Sequence, residues 1–159
     1  MLGLYFGEGS QTLDYRCSVS QRAPRTTSDL FLKGAVGQRS RSVFSGSIRV
    51  DPAGQQASAR QTNRNLVLSD GAQAHSMPNL EILADDVKCG HGSTVGSLDA
   101  EQRYYLMSRG LRKADADRLQ VAGFFGDLLG RLPRAELRAP LRREIMGKYA
   151  RVAAEEAAT

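Results

Sequence analysis

The stretch Gln61–Asp99, QTNRNLVLSDGAQAHSMPNLEILADDVKCGHGSTVGSLD, decides how the whole chain reads. Two short apolar runs, "NLVLS" and "NLEIL", alternate with segments of turn chemistry, "SDGAQ" and "SMPN". Gly, Asn, Asp, Ser and Pro concentrate in turns because they tolerate positive φ, preset φ or hydrogen-bond the nearby backbone. The run then places Cys89 and His91 two residues apart, just before a helical pattern begins. Residues i and i+2 of a strand point to one side, so a strand continuing through Gly90 projects both side chains together. Gln61, Asn63 and Asn65 fall where the pattern passes from strand to turn. Buried amides at such corners satisfy backbone groups that a sharp bend leaves unpaired.

Upstream the pattern continues. "LDYRCSVS" sets Leu13, Tyr15, Cys17 and Val19 on one face, and "SVFSGSIRV" alternates Phe44, Gly46, Ile48 and Val50 before the turn sequence "DPAG". Val43–Phe44, Leu66–Val67 and Val87–Lys88 recur at spacings of 23 and 21 residues. A stacked coil of strands requires a loose repeat of this kind, because each turn of the coil buries its apolar face only against its neighbours. A sandwich or barrel satisfies the same short strands. From Leu98 the pattern is helical. Ser97 or Asp99 serves as N-cap, and Gly110 follows Arg109 at a stop position. A second helix from about Lys113 carries Val121, Phe125, Leu128 and Leu132 on one face, with Pro133 ending it. A third helical pattern, interrupted at Pro140, has Leu137, Leu141, Ile145, Tyr149 and Val152 as its apolar side. Three short helices make no core alone; their faces must rest on the strands, on one another or on a partner. The expected division is residues 1–97 for the β region and 98–159 for the helical region.

Composition narrows the class. The 159 residues suffice for one domain with a small appendage, and 41% hydrophobic residues can form a core. Aromatics are 6% and Trp is absent, so that core rests on aliphatic and small side chains. The net charge of +5 comes mostly from arginines spread along the chain. No basic block and no aromatic stacking platform appear, so nucleic acid is not the expected partner. Two distant cysteines make no disulfide framework and read as reduced thiols, with Cys17 a small core residue. No apolar run approaches the roughly 20 residues of a membrane span, and "MLGLYFGEGS" lacks a basic n-region. A soluble, cytoplasmic protein is expected.

The pair Cys89 and His91 has several readings. One soft and one borderline ligand suit zinc or iron, but the only other Cys and His are Cys17 and His75, too few for a closed four-ligand site. A Cys–His dyad needs an orienting group, and Asp85 and Asp86 qualify only by proximity. Simple packing is the third reading. The glycines of "GHGSTVG" lack the Lys-Ser/Thr ending of a phosphate loop, and neither G-x-S-x-G nor H-E-x-x-H occurs. No complete catalytic set is present, and this chain is not expected to be an enzyme or to bind nucleotide.

Three segments carry a resemblance. "SDLFLKGAVGQRSRSVFSGSIRV", the Gln61–Asp99 stretch and "YYLMSRGL" resemble the SufB/SufD family of the Suf iron–sulfur cluster assembly machine, and within it the C-terminal part of the SufD branch. The likeness runs from about Tyr15 to Leu132. SufB sequences have His-Glu-Ala-Thr where this chain has His91, Gly92, Ser93 and Thr94, which favours the SufD branch. The resemblance implies a mainly β fold: a right-handed parallel β-helix (solenoid) followed by a C-terminal α-helical region. It implies a scaffold subunit that pairs with a SufB-like subunit through the β-helix and docks the SufC ATPase through its helices. His91, with Cys89 beside it, is then one half of a metal or cluster site completed by groups from the SufB-like subunit, where a nascent iron–sulfur cluster forms. Arg109, Gly110, Leu111, Val121, Phe125 and Leu128 become the candidate SufC contacts. Arg103 and Tyr104 depart from the Leu and Phe usual in the family. Family members are much longer, so the chain is expected to begin inside the β-helix as a fragment or a shortened homologue. An opened solenoid exposes a strand edge that also invites pairing of two copies. The alternative is a self-standing metal-binding or redox protein using Cys89 and His91.

Overall fold

The structure, a computed structural model, describes residues 1–158. Seven strands precede the helices: β1 (Leu2–Gly7), β2 (Thr12–Gln21), β3 (Thr27–Val36), β4 (Arg41–Val50), β5 (Ser58–Val67), β6 (Gln73–Ile82) and β7 (Lys88–Gly96). Odd strands form one parallel sheet in the order β1-β3-β5-β7; even strands form a second, β2-β4-β6. The chain winds from one sheet to the other and back, making about three turns of a parallel β-solenoid.

Register gives the true repeat. Leu2 lies beside Phe31, Thr27 beside Ser58, and Ser58 beside Lys88, so one turn consumes about 30 residues. The spacings of 23 and 21 are therefore corrected. Val43–Phe44 belongs to β4 and Leu66–Val67 to β5, strands of different sheets, so they never stack. A turn holds two ten-residue strands and two corners, and apolar doublets mark strands without marking turns. The corners do repeat. Gly9 (φ 62°) and Gln38 (φ 58°) hold one, and Arg25 (φ 60°) and Gln56 (φ 61°) the other, all left-handed. Stacked hydrogen bonds from Arg39 N–H to the Gly9 carbonyl (3.0 Å) and from Arg25 N–H to the Gln55 carbonyl (2.9 Å) lock these bends together.

Alternation along each strand separates lumen from exterior. Leu13, Tyr15, Cys17 and Val19 of β2 point inward, as do Phe44, Gly46, Ile48 and Val50 of β4. One interior cluster joins Tyr5, Leu30, Leu32 and Phe44, with Cys17 against it; another joins Ile48, Val50, Ala57, Ala59 and Ala84, with Cys89 against it. Gln61, Asn63 and Asn65 are not at corners. They occupy the inward face of β5, all buried. "SMPN" is not a turn either, since Pro78 lies within β6. That strand pairs with β4 alone, and an edge strand tolerates the missing proline N–H.

Three α-helices follow: α1 (Ala100–Ser108), α2 (Lys113–Gly130) and α3 (Arg138–Glu156). Asp99 caps α1, accepting from Glu101 N–H (2.8 Å) and Gln102 N–H (3.0 Å). Pro140 does not interrupt α3 as expected. It occupies the first turn, where its missing N–H removes no intrahelical bond. The helices α2 and α3 cover the outer face of the odd-strand sheet. Val121, Phe125, Leu129, Ile145, Tyr149 and Val152 pack there against Phe6 and Ala35. Lys33, nearly fully buried on that face, donates to the Phe124 carbonyl (2.7 Å) and pairs with Asp127 (2.9 Å).

Candidate functional site

The last rung of the solenoid carries the pair. β7 pairs with β5 alone, with Cys89 beside Ala59, His91 beside Gln61, Ser93 beside Asn63 and Val95 beside Asn65. Parallel neighbours in register share a face, and these β5 residues point into the lumen. Cys89, His91, Ser93 and Val95 therefore point toward the lumen as well, but among the described residues no coil lies above them. Cys89 is half-buried against the Ile48–Ala59 cluster, while His91 through Gly96 are exposed. The two candidate ligands thus project together at an open end, one sheltered and one accessible.

The other candidates lie apart from them. His75 sits on β6 beside Val43, on the outward face of the even-strand sheet. Cys17 points into the lumen two rungs away, beside Gly46, which in turn lies beside Pro78. Asp85 and Asp86 are exposed at the bend before β7, where Asp86 N–H donates to the Gln55 side chain (3.1 Å) and the Asp86 carbonyl accepts from Gln56 N–H (2.5 Å). Among the described residues, no three His, Cys, Asp or Glu side chains gather closely enough to hold a metal ion. Cys89 and His91 supply two donors, a thiolate-forming group and an imidazole, suited to iron or zinc when a second surface supplies the rest.

Beneath this rung the lumen is polar. Tyr5 donates its hydroxyl to Asn65, and Asn65 donates to the Asn63 side-chain oxygen (2.7 Å). Gln61 donates to the Gly46 carbonyl (3.4 Å). Burial pushes the Tyr5 hydroxyl above its usual range, opposed by its bonds to the asparagines and Ser42. The sequence pattern gave no sign that this polar file underlies His91, because the link is a register offset of one full turn.

The helical candidates divide by burial. Arg109 ends α1, Gly110 adopts φ 92°, and Leu111 N–H bonds back to the Leu106 carbonyl (3.3 Å) beside the Gly110–Met107 bond (3.0 Å). These two bonds are a Schellman stop, which needs the left-handed residue that glycine supplies. The Arg109 guanidinium lies 5.1 Å over the Tyr105 ring, on the surface. By contrast, Val121 and Phe125 are buried in the contact with α3 and the sheet, and Leu128 is buried as well. They shape that region from beneath and present no surface. What is accessible is a groove of about 710 Å³ between α1 and α2, lined by Leu66, Leu98, Tyr105, Leu106, Leu119 and Phe124. Tyr104 and Met107 of α1 are exposed as well. Sequence reading missed Leu119 because it falls off the apolar stripe of α2, and Tyr105 because α1 buries no side chain and shows no such stripe; their signal is apolar residues on otherwise polar helix faces. Arg103 pairs with Asp117 and ties α1 to α2.

Comparisons with known proteins identify a family. The profile of the SUF system FeS cluster assembly SufBD core domain matches residues 1–124. An iron–sulfur cluster assembly SufBD family protein of Synechocystis sp. is 39% identical over 141 residues, covering 89% of this chain and 31% of that protein. The iron–sulfur cluster assembly protein SufD of Escherichia coli is 42% identical over 96 residues, covering 60% of this chain and 23% of that protein. Bacillus subtilis SufD is 34% identical over 127 residues, covering 80% and 29%. The chain spans about a third or less of the length of these relatives. Among the described residues no helix is long and apolar enough to cross a membrane. With residues 1–124 of its 159 matched and a parallel solenoid beneath the match, the chain belongs to the SufBD family of iron–sulfur cluster assembly proteins.

Proposed function

We propose that the chain serves as a non-catalytic scaffold in the Suf system, holding half of a site on which a nascent iron–sulfur cluster is built. The observation that carries this reading is the pairing of Cys89 and His91 on the inward face of the last rung, open above and short of ligands. A SufB-like subunit brings its own strand edge to β7 and supplies the remaining donors. The cluster is cargo, and the chain contributes position: an imidazole nitrogen for iron and a thiolate beside it. The SufC ATPase docks on the α1–α2 groove, at Tyr105, Leu119 and the Arg109–Leu111 stop, while Val121, Phe125 and Leu128 hold those helices in place. Nucleotide is bound by that partner and not by this chain.

The test is co-expression of the full chain with its SufB-like and SufC partners, followed by iron and sulfide analysis of the purified complex. Co-purification with both partners is expected. His91→Ala is expected to leave the complex assembled and to lower iron and sulfide content at least several-fold. Unchanged iron and sulfide in that variant overturns the role of His91. Failure of a folded, monodisperse chain to bind either partner overturns the scaffold reading.

A further inference from the structure

Among the described residues, two buried polar atoms directly under the last rung have no hydrogen-bond partner. Gln61 is fully buried, and its Nε2 donates to the Gly46 carbonyl (3.4 Å), leaving Oε1 without a hydrogen bond. Asn63 is equally buried. Its Oδ1 accepts from Asn65, leaving Nδ2 without one. A buried polar group left unpaired keeps its desolvation cost with no bond to offset it, so native lumens rarely hold two in adjacent positions.

The ladder supplies their complements. Gln61 lies beside His91 and Asn63 beside Ser93, on the same inward face, at the strand spacing of about 4.8 Å. The free atom under His91 is an acceptor, and imidazole carries an N–H to give. The free atom under Ser93 is a donor, and a hydroxyl accepts. Gly46 makes the arrangement possible, since any Cβ there would collide with the Gln61 amide. The amide is thus held in a slot with its oxygen unclaimed.

The geometry points to Gln61 as the positioning residue of His91: its Oε1 accepts the N–H of one ring nitrogen and leaves the other as a lone pair facing the open end. Asn63 acts likewise on Ser93 and keeps β7 in register. This inference rests on the reading of His91 as a ligand for the cluster under assembly. A ligand imidazole needs its second nitrogen held by an acceptor, which fixes tautomer and ring orientation. Here the acceptor comes from the preceding turn of the solenoid.

The experiment reads the tautomer, with no cluster present. The full chain is prepared with 15N-labelled histidine, and the ring of His91, assigned by its absence in His91→Ala, is examined by long-range 15N–1H correlation above neutral pH. A single protonated nitrogen is expected in the unchanged protein. Gln61→Met, of similar length but without an acceptor, is expected to release the ring to the tautomer mixture of a free imidazole. Gln61→Glu restores an acceptor and is expected to restore the single tautomer. A mixture in the unchanged protein overturns the inference without any variant. So does a single tautomer that survives in a folded Gln61→Met chain. Should His91→Ala leave iron and sulfide intact, the ligand reading falls, while the tautomer result still decides whether Gln61 holds the ring.

Discussion

At the residue scale, the absence of a side chain at Gly46 matters as much as the side chains around it. A parallel solenoid of this size has a narrow lumen in which inward-facing residues from the two sheets compete for one volume. Gln61 needs room opposite, and Gly46 leaves it; Gly34 does the same for the Tyr5 ring. Adding one methyl group at Gly46 forces the Gln61 amide to move and breaks its bond to the Gly46 carbonyl. Overpacking of this kind costs about 1–3 kcal/mol. Gly46→Ala is therefore expected to lower the thermal midpoint by several degrees, read by circular dichroism. A midpoint within a degree of the parent's would show that the lumen yields easily at this point.

At the element scale, α2 joins the helical layer to the sheet. One side of it, with Val121, Phe125 and Leu128, is buried; Leu119 on the other side is exposed in the groove. Lys33 reaches out of β3 to the Phe124 carbonyl and Asp127, and hydrogen bonding to that ammonium holds the Asp127 carboxyl below its usual range. Two substitutions separate docking from packing. Phe125→Asp places a charge in the core and removes a buried aromatic ring, a loss of about 3–5 kcal/mol from truncation alone. It is expected to unfold the helical layer. Tyr105→Asp changes an exposed groove residue and is expected to leave the melting midpoint unchanged while weakening SufC capture at least several-fold. Full capture by a folded Tyr105→Asp chain would remove the groove from the proposed docking surface.

At the scale of the whole molecule, the two ends of the chain are tied to each other. Glu8, at the corner after β1, accepts from Arg151 through two bonds (2.9 and 3.0 Å) and from Lys148 (3.0 Å), both on α3. The Arg151 bonds chiefly, with help from Lys148, lower the Glu8 carboxyl from 4.5 to about 2. A carboxyl with a lowered folded-state pKa contributes stability that is present above its unfolded value and lost as the pH falls through the folded one. The window is therefore pH 4.5 down to about 2. Partly exposed networks of this kind are worth about 1 kcal/mol. Glu8→Gln is expected to destabilise the protein by that amount at pH 7, with the difference from the parent shrinking as the pH falls through the window. Denaturant midpoints at pH 7, 4 and 2.5 measure it, and a difference independent of pH would assign the loss to something other than charge.

By itself the amino-acid sequence determined which residues turn inward. Leu13 to Val19 and Phe44 to Val50 alternate at the strand period, and that local rule holds wherever one face is buried. It likewise narrowed the cap to Ser97 or Asp99, of which Asp99 is used, and set the stop at Gly110, since both depend on atoms a few positions away. Resemblance of the Gln61–Asp99 stretch carried the solenoid from one possibility among β folds to the expected one. What only the tertiary structure decided depends on neighbours about 30 residues apart along the coil. It set the repeat length, moved Gln61 and Asn63 from corners into the lumen, kept Pro78 inside an edge strand, and buried Phe125. It also placed Gln61 under His91. These facts arise from ladder register, and register is the sum of strand and corner lengths. The corners vary in length, 37–40 being short and 51–57 long, so no local pattern reveals which side chains stack.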